Sequence, residues 1–118
     1  MILGLIPSRL RSKRLDKKPL LEIDSLPIIV HTLKRAKLSK LLDKVIVCTD
    51  HKSIKETVEK FGGEAILTSV KHRNGTERIF EVSKKLKNVD LVIDIQGDQP
   101  LVDPKAIDET IKFHKKNK

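Results

Sequence analysis

Lys44-Val45-Ile46-Val47-Cys48-Thr49-Asp50 is the stretch that decides the fold. Its apolar core has no polar alternation, so neither face is marked for water, and it reads as a strand covered on both sides. Helical patterns flank it. Before it, Pro27 to Leu38 places Ile29, Leu33 and Ala36 at steps of four and three residues, with Lys34, Arg35 and Lys37 off that stripe and expected to face water. Pro27 suits a first helical position. After it, Ser53 to Phe61 repeats the spacing with Ile54, Val58 and Phe61, and Gly62-Gly63 stops the helix as a C-cap would.

Further outward the same alternation holds. Ile2-Leu3-Gly4-Leu5-Ile6 is a buried-strand run ending at Pro7, Glu64 to Leu67 is another, and Leu91 to Ile95 is a fourth. Thr76 to Leu86 places Ile79, Val82 and Leu86 on one helix face. Pro104 to His114 places Ile107, Ile111 and His114 on another, with Asp103 as N-cap. Strands alternating with helices in this way predict βαβ units, a mostly parallel sheet and an α/β fold. No repeat, low-complexity block or Pro/Gly/Ser-rich linker divides residues 1–118, which read as one domain.

Composition narrows the function classes. The 118 residues carry 25 Lys and Arg against 16 Asp and Glu, a formal charge of +9, which points to an anionic partner or a solvated lysine-rich surface. A nucleic-acid-binding α/β domain is the weaker reading. Such proteins use aromatic platforms, and this chain has three Phe and no Trp or Tyr. Cys48 is the one cysteine, so no internal disulfide can form, and its apolar setting predicts a buried, inert thiol. The short run Met1 to Pro7 lacks the basic start of a signal peptide, and no run approaches the length of a membrane span. A soluble cytoplasmic protein without membrane contact is expected.

Ligands of parallel α/β sheets bind at the carboxyl ends of the strands. That rule selects residues 7–19, Thr49-Asp50-His51 and residues 96–100. The first holds six basic residues between Arg9 and Lys18 and could surround a triphosphate, although a solvated basic loop fits its composition equally. It lacks the Gly-Lys-Ser/Thr of a P-loop. In the second and third, Asp50 follows a strand end and Asp98 sits beside Gly97. Asp98 suits a hard cation shared with phosphates, or forms part of a plain turn. A further segment, His72-Arg73-Asn74-Gly75-Thr76-Glu77-Arg78, joins a turn signal to a helix start that attracts anions. His72 reads there as a surface loop histidine, and the four histidines show no metal-ligand spacing.

Five blocks, in order, resemble the CMP-Kdo synthetase family, the 3-deoxy-manno-octulosonate cytidylyltransferases. They are Ile6-Pro7-Ser8-Arg9 with Ser12-Lys13-Arg14-Leu15-Asp16-Lys17-Lys18-Pro19-Leu20; Ile46-Val47-Cys48-Thr49-Asp50; Phe61-Gly62-Gly63-Glu64; the segment from His72 to Arg78; and Gln96-Gly97-Asp98-Gln99-Pro100. The resemblance spans essentially the whole chain and implies a Rossmann-like, GT-A-like nucleotidyltransferase fold, cut short, because members run about twice as long. It implies contacts from Arg9, Arg14 and Lys18 to the phosphates of CTP. Ser8, His72, Gly75 and Thr76 fall where the family forms its cytidine pocket, Arg78 and Gln96 line the site, and Asp98 matches the Mg²⁺ ligand. Arg9, Lys18 and Asp98 are the implied catalytic residues.

Departures accompany the match. Ser8 stands for the usual Ala, Asp16-Lys17 for Pro-Gly, Asn74 for Ser and Gln99 for Glu. The family's later half, which supplies a second metal-binding Asp, much of the sugar-acid pocket and most homodimer contacts, has no counterpart here. The implied reaction joins CTP to Kdo, a 3-deoxy-2-keto sugar acid, giving CMP-Kdo and pyrophosphate for lipopolysaccharide synthesis. The alternatives are another acceptor, 8-amino-Kdo or a nonulosonic acid, and a truncated module that binds nucleotide without turnover.

Overall fold

The computed structural model describes residues 1–8, 20–68, 75–96 and 102–116. Strand β1 (Ile2–Ser8) leads to a short ribbon of β2 (Glu22–Ile23) and β3 (Leu26–Pro27), then helix α1 (Ile28–Ala36). Strand β4 (Lys44–Thr49), helix α2 (Lys52–Lys60), strand β5 (Glu64–Leu67), helix α3 (Gly75–Lys85), strand β6 (Leu91–Asp94) and helix α4 (Pro104–Lys116) follow. The four long apolar runs are the four strands of one sheet, ordered β5-β4-β1-β6, and every pairing is parallel.

The two unmarked faces of the strands are covered as their lack of alternation requires. On one face, Ile2, Ile6, Val45 and Val47 pack with Ile29, Val30 and Leu33 of α1, Ile54 and Val58 of α2, and Ile107 and Ile111 of α4. On the other, Leu3, Leu5, Ile46 and Cys48 meet Val82 of α3, with Ile79, Leu86 and Val92 around them. Three helices therefore seal one face and α3 covers the second.

β1 runs past Pro7 to Ser8, pairing with β4 as far as Ser8↔Thr49. On its other side the β6 pairing stops at Leu5↔Asp94, with Ile95 N–H donating to Leu5 C=O at 2.9 Å. Pro7, which has no N–H, thus lies past its last β6 partner.

Some expectations need correction. Pro27 ends β3 and stands at the N-cap of α1 with φ −58° and ψ 147°, so the first helical residue is Ile28. Arg35 is half-buried instead of facing water, because its Nε donates to Val102 C=O at 3.0 Å and ties α1 to the start of α4. Phe61 and His114 are exposed; Phe61 is the residue that ends α2 and His114 lies in the last turn of α4. The β2–β3 ribbon carries no Asn-Gly signal. Its turn is made by Asp24 and Ser25, both left-handed at φ 51° and 68°. The N-cap of α2 is the His51 ring, whose Nδ1 accepts from Ser53 N–H at 3.1 Å. Asp103 caps α4 as expected, with Oδ1 accepting from Lys105 N–H at 2.9 Å.

Asp108 fastens α4 to the loop after α1, accepting from the Ser39 hydroxyl and from the Lys40 and Leu41 amides. The Ser39 hydrogen bond, supported by those amides, holds its carboxyl below the usual carboxylate range. At the end of α2, Gly62 takes φ 83° and Gly63 N–H returns to Val58 C=O at 2.9 Å. A Cβ on Gly63 would sit 2.8 Å from Val58 Cγ1 and collide with Leu33 Cδ2. Gly63→Ala is therefore expected to cost about 1–3 kcal/mol by overpacking, read as a lower urea midpoint at unchanged slope.

Candidate functional site at the carboxyl edge of the sheet

The strand order locates the site. From β1 the chain steps to β4 and β5 on one side, then crosses to β6 on the other. The order of strands along the sheet thus reverses between β1 and β6, and in open α/β sheets ligands bind in the crevice outside the carboxyl ends of the strands at such a point. The basic segment 9–19 follows β1 directly, and Gly97-Asp98 follows β6. These two segments, almost ninety residues apart in sequence, follow the ends of neighbouring strands.

Ser8 closes β1 at this edge. It is 6% exposed, and its Oγ is buried with no hydrogen-bond partner among the described residues. An unpaired buried hydroxyl costs about 1–3 kcal/mol, so its presence at a ligand-binding edge is notable. Gln96, just past β6, is exposed. Gly75 and Thr76 open α3. Arg9, Arg14, Lys18, His72 and Asp98 lie outside the described residues.

Arg78 differs from the others. Only 2% exposed, it is buried beneath the edge, not laid along it. Its Nη1 donates to Thr68 Oγ1 at 3.2 Å, and its Nη2 lies 3.7 Å from Asp50 Oδ2. Asp50 and Thr68 escaped the sequence reading as its partners; the signal was their place, each one residue past the end of a strand. Cys48 lies close by. Burial pushes its thiol up to about 12, with Arg78 acting in the opposite sense, so it is protonated and inert at neutral pH. Asp94, at the end of β6, has its carboxyl raised by partial burial.

A separate groove of about 380 Å³, lined by Lys37, Asp43, Lys44, Gly63 and Glu64, sits at the opposite, amino-terminal end of β4 and β5. Its Lys44 and Glu64 pair with each other at 3.2 Å. Among the described residues, no three His, Cys, Asp or Glu side chains form a metal cluster, and no helix is long and apolar enough to cross a membrane.

The family model for cytidylyltransferases matches residues 3–118. This chain belongs to the cytidylyltransferase family. A 3-deoxy-manno-octulosonate cytidylyltransferase of Fusobacterium nucleatum is 47% identical over 116 residues, 98% of this chain and 47% of that protein. An 8-amino-3,8-dideoxy-manno-octulosonate cytidylyltransferase of Shewanella sp. (strain W3-18-1) is 47% identical over 114 residues, 95% of this chain and 46% of that protein. The structure of CMP:2-keto-3-deoxy-manno-octonic acid synthetase complexed with CTP superposes with a TM-score of 0.94 at 36% identity, covering 98% of this chain and 47% of that one. The cytidylyltransferase chain thus has the nucleotidyltransferase fold and spans about half the length of the relatives it matches.

Proposed function

We propose that this chain is the CTP-binding part of an enzyme that transfers CMP from CTP to Kdo. The observation that carries the reading is topological. β1 and β6 are parallel neighbours, so the basic segment and Gly97-Asp98 follow adjacent strand ends in the sequence, next to a buried Ser8 hydroxyl with no hydrogen-bond partner among the described residues. The CTP carried by the superposable relative supports the same nucleotide. In this reading Arg9, Arg14 and Lys18 hold the phosphates, Ser8, His72, Gly75 and Thr76 surround the cytidine, and Gln96 borders the crevice.

The reaction is attack by the sugar's anomeric oxygen on the α-phosphorus of CTP. A new O–P bond forms, the bond to pyrophosphate breaks, and the hydroxyl proton passes to solvent. The chain's own contribution is positioning and charge stabilisation. Arg9 and Lys18 offset the charge that grows on the departing pyrophosphate, and Arg14 holds the triphosphate in line. A single carboxylate beside a strand end, completed by phosphate oxygens, is the donor set Mg²⁺ favours, and Asp98 supplies it. Bound there, Mg²⁺ would neutralise phosphate charge. The acceptor is Kdo or its 8-amino analogue, since relatives of both kinds are 47% identical to this chain.

Calorimetric titration with CTP, with and without Mg²⁺ and with ATP and UTP as controls, tests the reading. Selective, Mg²⁺-dependent binding of CTP is expected. A folded chain that binds no CTP, or binds all three nucleotides alike, would remove the cytidine pocket from the proposal. Pyrophosphate release on adding Kdo separates a working enzyme from a module that holds nucleotide only.

A further inference from the structure

We infer that Arg78 is a positioning residue. From beneath the carboxyl edge it locks the start of α3 to the ends of β4 and β5, and so holds the cytidine side of the site in shape without touching the nucleotide. The inference rests on the CTP reading above. Its observations are geometric. Arg78 is the fourth residue of α3, and its guanidinium reaches Thr68, the residue after β5, and Asp50, the residue after β4. The same two strand ends are joined by Thr68 N–H donating to Thr49 C=O at 2.7 Å, and His51 N–H turns back to Thr49 Oγ1 at 3.3 Å. At 2% exposure, the side chain is closed off from a ligand in the crevice.

The chemistry explains why arginine stands here. Taking a charge out of water is costly unless it is paired and hydrogen-bonded. A planar fork can meet a hydroxyl on one arm and a carboxylate on the other, whereas a lysine ammonium is a single point on a flexible stem. The clamp spans the segment between β5 and α3, so it sets where Gly75 and Thr76 begin the helix. The phosphate contacts of the CTP reading fall on residues 9–18, whereas Asp50 and Thr68, the partners of Arg78, follow β4 and β5. Arg78 should therefore govern recognition of the nucleoside and leave recognition of the phosphates alone.

The test is Arg78→Lys, with Thr68→Val as a milder second variant that removes one partner and keeps the buried ion pair. Each is titrated with Mg·CTP and with Mg·tripolyphosphate, and amide hydrogen exchange is followed in the nucleotide-free chain. The expected result for Arg78→Lys is a loss of CTP affinity of about tenfold or more, with tripolyphosphate affinity unchanged. Amides of residues 75–79 should exchange faster while those of β1 keep their protection. Thr68→Val should show the same pattern more weakly. Equal losses for CTP and tripolyphosphate, or faster exchange throughout the chain, would mean a merely structural arginine. Unchanged CTP affinity with unchanged exchange at α3 would overturn the clamp outright. A wild-type chain that binds no CTP would instead defeat the nucleotide reading, and the exchange data would still decide the clamp.

Discussion

Replacing Leu5 by Ala is expected to destabilise the chain by about 3 kcal/mol, within the range for deleting a fully buried leucine side chain. Leu5 lies in β1, between β4 and β6, and has no exposed surface. Its side chain packs on the face covered by α3, among Leu3, Ile46, Cys48 and Val82. The strands on either side cannot close in without breaking the ladders at Leu5↔Ile46 and Leu5↔Asp94, so the cavity should persist. Domains have roughly 5–15 kcal/mol in total, so this one change removes a large share. Thermal unfolding should fall by roughly 10–15 °C. Leu38→Ala is the control. Leu38 is 63% exposed, and its loss should stay within about 0.5 kcal/mol. A Leu5→Ala chain as stable as the Leu38→Ala chain would contradict the packing described for this face.

Asp98→Asn is expected to abolish the Mg²⁺ dependence of CTP binding. The amide keeps the size of the side chain and removes the charge that a hard cation requires. Removing a group that merely supports a metal ligand already costs about 10–100-fold in metal affinity, and losing a direct ligand should cost at least as much. Affinity for CTP in Mg²⁺ should therefore fall to its Mg²⁺-free level, while the thermal midpoint stays near that of the parent. Asp103→Asn, in the same connection, is the contrast. Asn caps a helix about as well as Asp, so α4 and Mg²⁺-dependent binding should both survive. Equal Mg²⁺ dependence in the parent and in Asp98→Asn would remove the metal from Asp98.

The fold was largely legible because its signals are local. An apolar run such as Val45 to Cys48 has one stable use, a strand covered on both faces, and the stripes Ile54/Val58 and Ile107/Ile111 have one stable use on helices. The misses have equally physical causes. Asp24 and Ser25 adopt left-handed conformations that their sequence does not announce, and the ribbon they join is held partly from outside, by the His31 ring bonding to Ile23 C=O. His114 and Phe61 continue an apolar period into the ends of their helices yet are exposed, and periodicity carries no information about where the partner surface stops.

The candidate site divides along the same line. The alternation of strands and helices, the basic character of residues 9–18, the carboxylate at Asp98 and a helix start expected at Thr76, one residue after the observed one, are all properties of short stretches of chain. They were readable because propensity, charge and apolar period act over a few residues. The order β5-β4-β1-β6, which sets the ends of β1 and β6 side by side, was decided by tertiary packing, because every parallel order satisfies the same local patterns. So was the fate of Arg78. Nothing near it in sequence distinguishes a charge that meets a ligand from one buried against Asp50 and Thr68. The cost of burying a charge depends on what surrounds it in three dimensions, and those neighbours come from strand ends 28 and 10 residues away.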